Sequence, residues 1–198
     1  QPTNPSHRIN FNRSAICYHE IMDPYIRLAK EVIETYIKTG KAASLPKNLP
    51  KEMFEKRAGV FVSLHLNDGS LRGCIGTFLP IRSNIAEEIM QNAISSATSD
   101  PRFPPVSKEE LDSLVYSVDI LSPSTPLEAS ELSSLDPKKY GLIVSTDDGR
   151  KGLLLPDIPG VESAEEQFQI CCRKGGISPG EKVSLEVFTV ERHEEKAK

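Results

Sequence analysis

The chain has 198 residues, of which 38% are hydrophobic and 26% charged, a balance too apolar for disorder and sufficient for one substantial core or two small lobes sharing one. A formal net charge of −4, with basic residues no denser than pairs such as Lys138-Lys139, argues against a nucleic-acid binder. No apolar run approaches the ~18 residues of a membrane span, and no basic, apolar, small-residue leader is visible.

Chemistry-bearing motifs are scarce. Cys17, Cys74, Cys171 and Cys172 form neither a C-x-x-C pair nor a disulfide framework, so they read as reduced thiols of a cytoplasmic protein. They lack the spacing of a metal site, and none is expected. Dinucleotide, P-loop, nucleophile-elbow and zincin signatures are all missing. No cofactor class follows from the residues.

In chain order, residues 1–22 are polar and aperiodic, a leader or linker, and the folded domain spans 23–198. Asp23-Pro24 opens a helix whose apolar positions Ile26, Ala29, Ile33, Tyr36 and Ile37 recur at helical spacing until Gly40. A connector over 41–58 follows. Val60, Val62, Leu64 and Leu66 then alternate with Phe61, Ser63 and His65, and turn residues 67–70 lead into Leu71–Thr77, a β-hairpin. Asn84, with Glu87 as its capping-box partner, starts a second helix striped by Ile85, Ile89, Ala93 and Ala97. Asp100-Pro101-Arg102-Phe103-Pro104-Pro105 stops it. Ser107 and Glu110 predict a short helix, and residues 114–121 a strand. The Ser-, Pro- and Glu-rich stretch 122–139 reads as a hinge or surface excursion. A second hairpin surrounds Asp147-Asp148-Gly149. Ser163 and Glu166 cap a helix that ends at Gly175-Gly176, and Val183, Leu185 and Val187 mark a final strand. The fold class is therefore mixed α/β with largely antiparallel sheets.

Hairpin register decides what Cys74 can meet. A two- or four-residue turn sets Leu66 opposite Leu71, His65 opposite Arg72, Leu64 opposite Gly73 and Ser63 opposite Cys74; a three-residue loop would mix the faces. One face is then apolar, and the other gathers Ser63, His65, Arg72 and Cys74. Arg72 and Cys74 stand about 7 Å apart along the strand, close enough for a guanidinium to favour thiolate or hold an anionic group. His65 lies diagonal to Cys74, within range of a base. Gly73 and Gly76 leave room for a ligand or another backbone. Against this, a strand cysteine is commonly a small buried hydrophobe and a strand glycine commonly a bulge. Asp100 and Arg102 flank a proline in a rigid corner that can present charge to a cleft, or simply close on each other. Cys171 and Cys172, near Phe168 at helical spacing, read as core-facing.

The segment Leu71-Arg72-Gly73-Cys74-Ile75-Gly76-Thr77 resembles the signature of the AMMECR domain family, whose bacterial and archaeal members are called protein A of the AmmeMemoRadiSam system. Gly59–Leu64, Asp100–Val106, Gly152–Pro156 and Cys172–Ile177 follow the family's pattern in order. Gly175 stands where the family usually has Ala, and His65 lies outside the pattern. The resemblance implies two α/β subdomains with the Leu71–Thr77 segment facing a cleft between them. It also implies partners, a radical-SAM-type protein and a Memo-type, dioxygenase-like protein, in a shared modification pathway. In some bacteria these latter domains resemble one fused chain; Gln1 as first residue fits a domain cut from a fusion, and equally a simple trimming.

Two functional expectations follow. In the first, the cleft binds a small anionic substrate, with Arg72 and Cys74 as catalytic residues and Ser63, His65, Gly73, Gly76, Asp100 and Arg102 around the substrate; Cys74 acts as nucleophile or redox thiol. In the second, the cleft recognises a peptide or partner protein, and Cys74 only packs.

Overall fold

A computed structural model describes residues 22–195. The leader expected over 1–22, apart from Met22, and Cys17 therefore lie outside the described residues.

The first lobe begins with α1 (Pro24–Thr39), capped by Asp23, whose carboxylate accepts from the N–H groups of Tyr25 and Ile26. The chain 41–58 is not all connector: α2 (Lys51–Glu55) forms there. Strands β1 (Val60–His65) and β2 (Leu71–Thr77) make the first hairpin, α3 (Ile85–Thr98) follows with Asn84 as N-cap, and β3 (Val115–Leu121) lies beyond the proline corner. The sheet order is β2-β1-β3-β8, antiparallel throughout, with β8 (Val190–Glu194) supplied by the far end of the chain. Helices α1 and α3 cover one face. There Val60, Val62, Leu64, Tyr116 and Val118 are fully buried against Leu28, Val32, Ile33 and Ile89. Each such aliphatic side chain contributes about 1.5–3 kcal/mol by leaving water.

The second lobe is inserted between β3 and β8. It holds β4 (Thr125–Leu127), a 3-10 turn (Ala129–Ser134), β5 (Gly141–Ser145), β6 (Lys151–Leu154), α4 (Ala164–Gly175) and β7 (Ser184–Phe188), in sheet order β4-β7-β5-β6. So the predicted excursion 122–139 contains an edge strand, and the predicted final strand has a successor, β8. The predicted short helix at Ser107 is only a turn followed by a 3-10 turn at Leu111–Ser113. The helix from Ser163 has its complete capping box. Leu142, Val144, Leu185 and Cys171 form this lobe's core. Leu121, Ile143, Leu155 and Phe188, joined by Phe61 and Val190, bridge the lobes.

Both hairpins use one turn design. Leu66 N donates to Ser70 O and Gly69 N to Leu66 O; Thr146 N donates to Arg150 O and Gly149 N to Thr146 O. Gly69 and Gly149 take φ of 82° and 88°, the left-handed position such three-residue loops require. The three-residue loop that the hydrophobic pattern disfavours is thus the one used. The cost in register is undone by a bulge: His65 pairs with Leu71, Arg72 is the extra residue, and Leu64–Gly73 and Ser63–Cys74 pair as predicted.

Candidate functional site

The bulge corrects the expected site. Arg72 does not sit opposite His65. Its side chain is buried and donates to both oxygens of Glu110, at 2.6 and 3.0 Å, and to the Pro104 carbonyl at 3.0 Å. The guanidinium is thus held by Glu110 and the proline corner, and this ion pair in turn holds the Glu110 carboxyl below its ordinary range. His65 pairs with Leu71 and Val115 at the far end of the sheet, two positions from Ser63. Ser63 does meet Cys74: its hydroxyl donates to Sγ at 3.2 Å.

The cation beside Cys74 is Arg102. Asp100, buried at the end of α3, accepts from Arg102 through N, Nε and Nη2, at 3.0, 3.0 and 2.7 Å, and from the Cys74 N–H at 2.8 Å. Those contacts, the Arg102 guanidinium first, hold the Asp100 carboxyl well below the usual carboxylate range. Arg102 also reaches the Cys74 carbonyl at 3.4 Å, and its side chain remains half exposed. For the thiol itself burial dominates and pushes Cys74 up; the Ser63 hydroxyl and Arg102 oppose that, while Asp119 and Asp100 reinforce it. Cys171 and Cys172 are likewise raised by burial, Cys171 to about 12. Cys171 lies in the core and Cys172 packs partly buried against it.

Neither strand glycine opens onto a ligand by its missing side chain. A Cβ on Gly73 would stand 2.4 Å from the Ser96 carbonyl oxygen, so Gly73 lets β2 lie against α3. A Cβ on Gly76 would stand 2.2 Å from Phe61 Cγ, so the Phe61 ring lies across that residue.

Behind β2 runs a set of residues that the sequence pattern does not announce. Glu88, Asn92 and Ser96 follow one another at i, i+4 along one stripe of α3, Asp100 lies just past the helix end, and all four are buried. Ser96 Oγ accepts from Ile75 N at 2.9 Å and donates to Val62 O at 2.7 Å; Asn92 Nδ2 donates to Val60 O at 2.9 Å. Glu88 accepts from Thr77 Oγ1 at 2.6 Å, Ile81 N at 2.8 Å and Arg82 N at 2.7 Å. This polar stripe fastens the edge strand and the loop after it to the helix. The four-residue spacing is visible in the chain, but polar residues flanking an apolar stripe ordinarily mark the edge where a helix meets solvent.

The fastened loop is the second feature that sequence reasoning misses. Phe78, Leu79 and Ile81 are 36%, 61% and 71% exposed, although Glu88 holds the loop from below and Arg57 donates to the carbonyls of Pro80 and Arg82. They line an open cleft of about 500 Å³ between the lobes, with Phe61, Gly76 and Thr77 on one wall and Lys151, Gly152, Leu153 and Lys174 on the other. Lys151 Nζ sits 5.7 Å from the Phe78 ring centroid. Of the predicted site residues, only Gly76 lines this cleft. Among the described residues no group of His, Cys, Asp and Glu is arranged to hold a metal, and no helix is long and apolar enough to cross a membrane.

Comparison with known proteins agrees with this architecture. The AMMECR1 family model matches residues 26–195. A Thermotoga maritima protein is 54% identical over 171 residues, covering 86% of this chain and 97% of that protein. A Clostridium acetobutylicum protein is 47% identical over 174 residues, 87% of this chain but 36% of its own greater length. The crystal structure of an uncharacterised protein from Pyrococcus horikoshii superposes with a TM-score of 0.80 at 39% identity, covering 87% of this chain and 90% of that one. On sequence and fold together, the chain belongs to the AMMECR1 family.

Proposed function

We propose that this protein is a binding module whose inter-lobe cleft recognises a segment of a partner protein. The observation that carries this is the loop Phe78–Ile81. A loop that exposes three large apolar side chains would ordinarily collapse or fold inward, since contiguous exposed apolar surface marks interaction sites. Here a buried carboxylate and a guanidinium hold its backbone in place. The apolar surface is preorganised at the rim of a cleft, which lowers the ordering cost of binding. Lys151 and Lys174 beside it suit a partner with acidic side chains.

The test is selection of peptides from a random displayed library against the full chain, followed by affinity measurement on variants. Leu79→Asp and Ile81→Asp should weaken the selected peptides at least tenfold, and Cys74→Ser should leave them unchanged. Selected peptides that ignore both loop changes would refute the reading.

One observation favours a second reading, that of a thiol site for a small anionic substrate. Arg102 is half exposed, lies beside Cys74, and opposes the desolvation of its thiol. In that reading Arg102 takes the role expected of Arg72, Cys74 is the nucleophile or redox thiol, and the radical-SAM-type and dioxygenase-like proteins are pathway partners. The Cys74 thiol meets the Ser63 hydroxyl, and among the described residues no histidine or carboxylate side chain hydrogen-bonds to its Sγ to serve as a base. A substrate-dependent modification of Cys74, lost in Arg102→Gln, would establish it over the first.

A further inference from the structure

Antiparallel pairing alternates main-chain groups that bond to the neighbouring strand with groups that point away from it. In β6 the phase is set by the turn. Thr146 N donates to Arg150 O, so Arg150 bonds inward, Gly152 opposite Val144 does the same, and Lys151 and Leu153 direct their N–H and C=O groups outward. Strand β6 is the edge of its sheet, and both outward residues line the cleft.

Across the cleft stands the edge of the other sheet. In β2 the phase is set by Cys74, whose N–H points outward to Asp100. Gly76, two residues on, shares that phase and lines the cleft with main-chain atoms. The outward groups of Cys74 are occupied by Asp100 and Arg102. Among the described residues, no loop or side-chain hydrogen bond is directed at those of Gly76, Lys151 or Leu153. Proteins usually cover or blunt such edges, because an open one is a template for another strand.

We infer that the cleft accepts an extended partner segment as an added fifth strand on β6, with acidic side chains alternating with apolar ones. Strand geometry fixes the alternation. Side chains on the face of Gly152, which packs on α4, meet Lys174, and those on the opposite face meet Phe61 and Phe78. Lys151 stands on the other face, over the Phe78 ring, so Lys174 carries the preference for acid on the Gly152 face. Charge argues against other occupants. A second copy adding β6 to β6 would bring its own Lys151 to the same edge, and residues 1–21 carry Arg8 and Arg13 against the single acidic Glu20. The inference rests on the docking reading and specifies its occupant.

The test uses the full chain and the peptide acetyl-Glu-Val-Glu-Val-Glu-Val-amide, with amide hydrogen exchange read residue by residue by NMR. Saturable binding should slow exchange at Lys151 and Leu153 at least tenfold and leave Gly152 unchanged. N-methylation of the peptide at the amides facing β6 should abolish binding, whereas N-methylation at the alternate amides should not. Replacing both lysines, Lys151→Glu with Lys174→Glu, should reverse the preference toward a Lys-Val repeat. If the peptide perturbs Phe78–Ile81 while the exchange of Lys151 and Leu153 stays the same, strand addition is overturned and side-chain docking stands. Strand addition falls equally if the peptide fails to bind while library-selected peptides bind through Leu79 and Ile81. If nothing binds through those residues, both readings fall.

Discussion

Removing the Glu88 carboxylate should release the cleft loop while leaving the fold intact. In Glu88→Ala three donors lose their acceptor: Thr77 Oγ1, Ile81 N and Arg82 N. A hydrogen bond to a charged group contributes about 1.5–3 kcal/mol, but the three will not add. Ile81 and Arg82 lie at the surface, so their amides regain water; Thr77 Oγ1 still accepts from Asn92 Nδ2 at 3.2 Å, but its O–H loses its acceptor. The net loss should be about 2–3 kcal/mol, or a Tm lower by roughly 5–10 °C for a chain of this size. Glu88→Gln keeps one carbonyl oxygen. Because a single oxygen, Oε2, serves both Ile81 and Arg82, Gln can retain the loop contacts; its NH2 then faces Thr77 Oγ1, which must accept instead of donate, and the loss with charge assistance is about 1 kcal/mol. Urea unfolding gives the two losses, and amide exchange at Ile81 and Arg82 reads the loop directly. Exchange should accelerate strongly in Glu88→Ala and little in Glu88→Gln. Equal damage from both substitutions, or an unmoved exchange rate in Glu88→Ala, would show that the carboxylate does not fasten the loop.

Four shorter predictions follow from the same geometry. Gly73→Ala should lose about 2–4 kcal/mol by urea unfolding, because its Cβ meets the backbone oxygen of Ser96, whereas Gly76→Ala meets a side chain that can rotate and should lose less. Alkylation followed by mass spectrometry should find Cys74 in the folded protein slower than in the unfolded chain at pH 8, since burial pushes its thiol up; fast reaction well below pH 8 would reverse that. Asp100 is held low in the folded state, so its contribution is fully present above an unfolded pKa of about 4 and is lost as pH falls toward the folded value. Acid unfolding should accordingly be steeper in the wild type than in Asp100→Asn, which is already destabilised at pH 7. Truncating Arg72 to Ala should lose about 2–3 kcal/mol, because Glu110 Oε1 and the Pro104 carbonyl lose their donor while Glu110 Oε2 keeps Ser107 N, and a loss under 1 kcal/mol would count against a buried structural role.

The parts of this fold that were legible are those specified by neighbours in sequence. Asp23, Asn84 and Ser163 cap helices where the capping rules place them, alternation located β1 and β3, and turn residues placed β2 and β5 in their hairpins. Contacts between distant segments were hidden. Local pattern favoured a register without a bulge, and the bulge at Arg72 is stabilised by Glu110 and Pro104, more than thirty residues away. The candidate site suffered for the same reason: one extra residue sends Arg72 into the corner and leaves Arg102 beside Cys74. The apolar residues of Phe78–Ile81 were in plain view, but a loop's exposure depends on what anchors it, here a glutamate on the following helix.

The way the chain leaves and re-enters the first lobe has a consequence for engineering. Leu121 and Val190 are direct partners across β3 and β8. The crossing points are clasped, with Ser122 N donating to Thr189 O and Thr189 N to Ser122 Oγ, both at 2.9 Å. The two ends of the inserted lobe therefore meet at a place where a hairpin turn would close the gap. A short Asn-Gly linker from residue 121 to residue 190 would yield a minimal four-stranded unit with α1 and α3 retained. Its newly bared Phe61 and Leu121 would need polar replacements, as both belong to the interface between the lobes. The reverse operation follows as well: that seam is a port into which another compact domain with adjacent termini could be grafted.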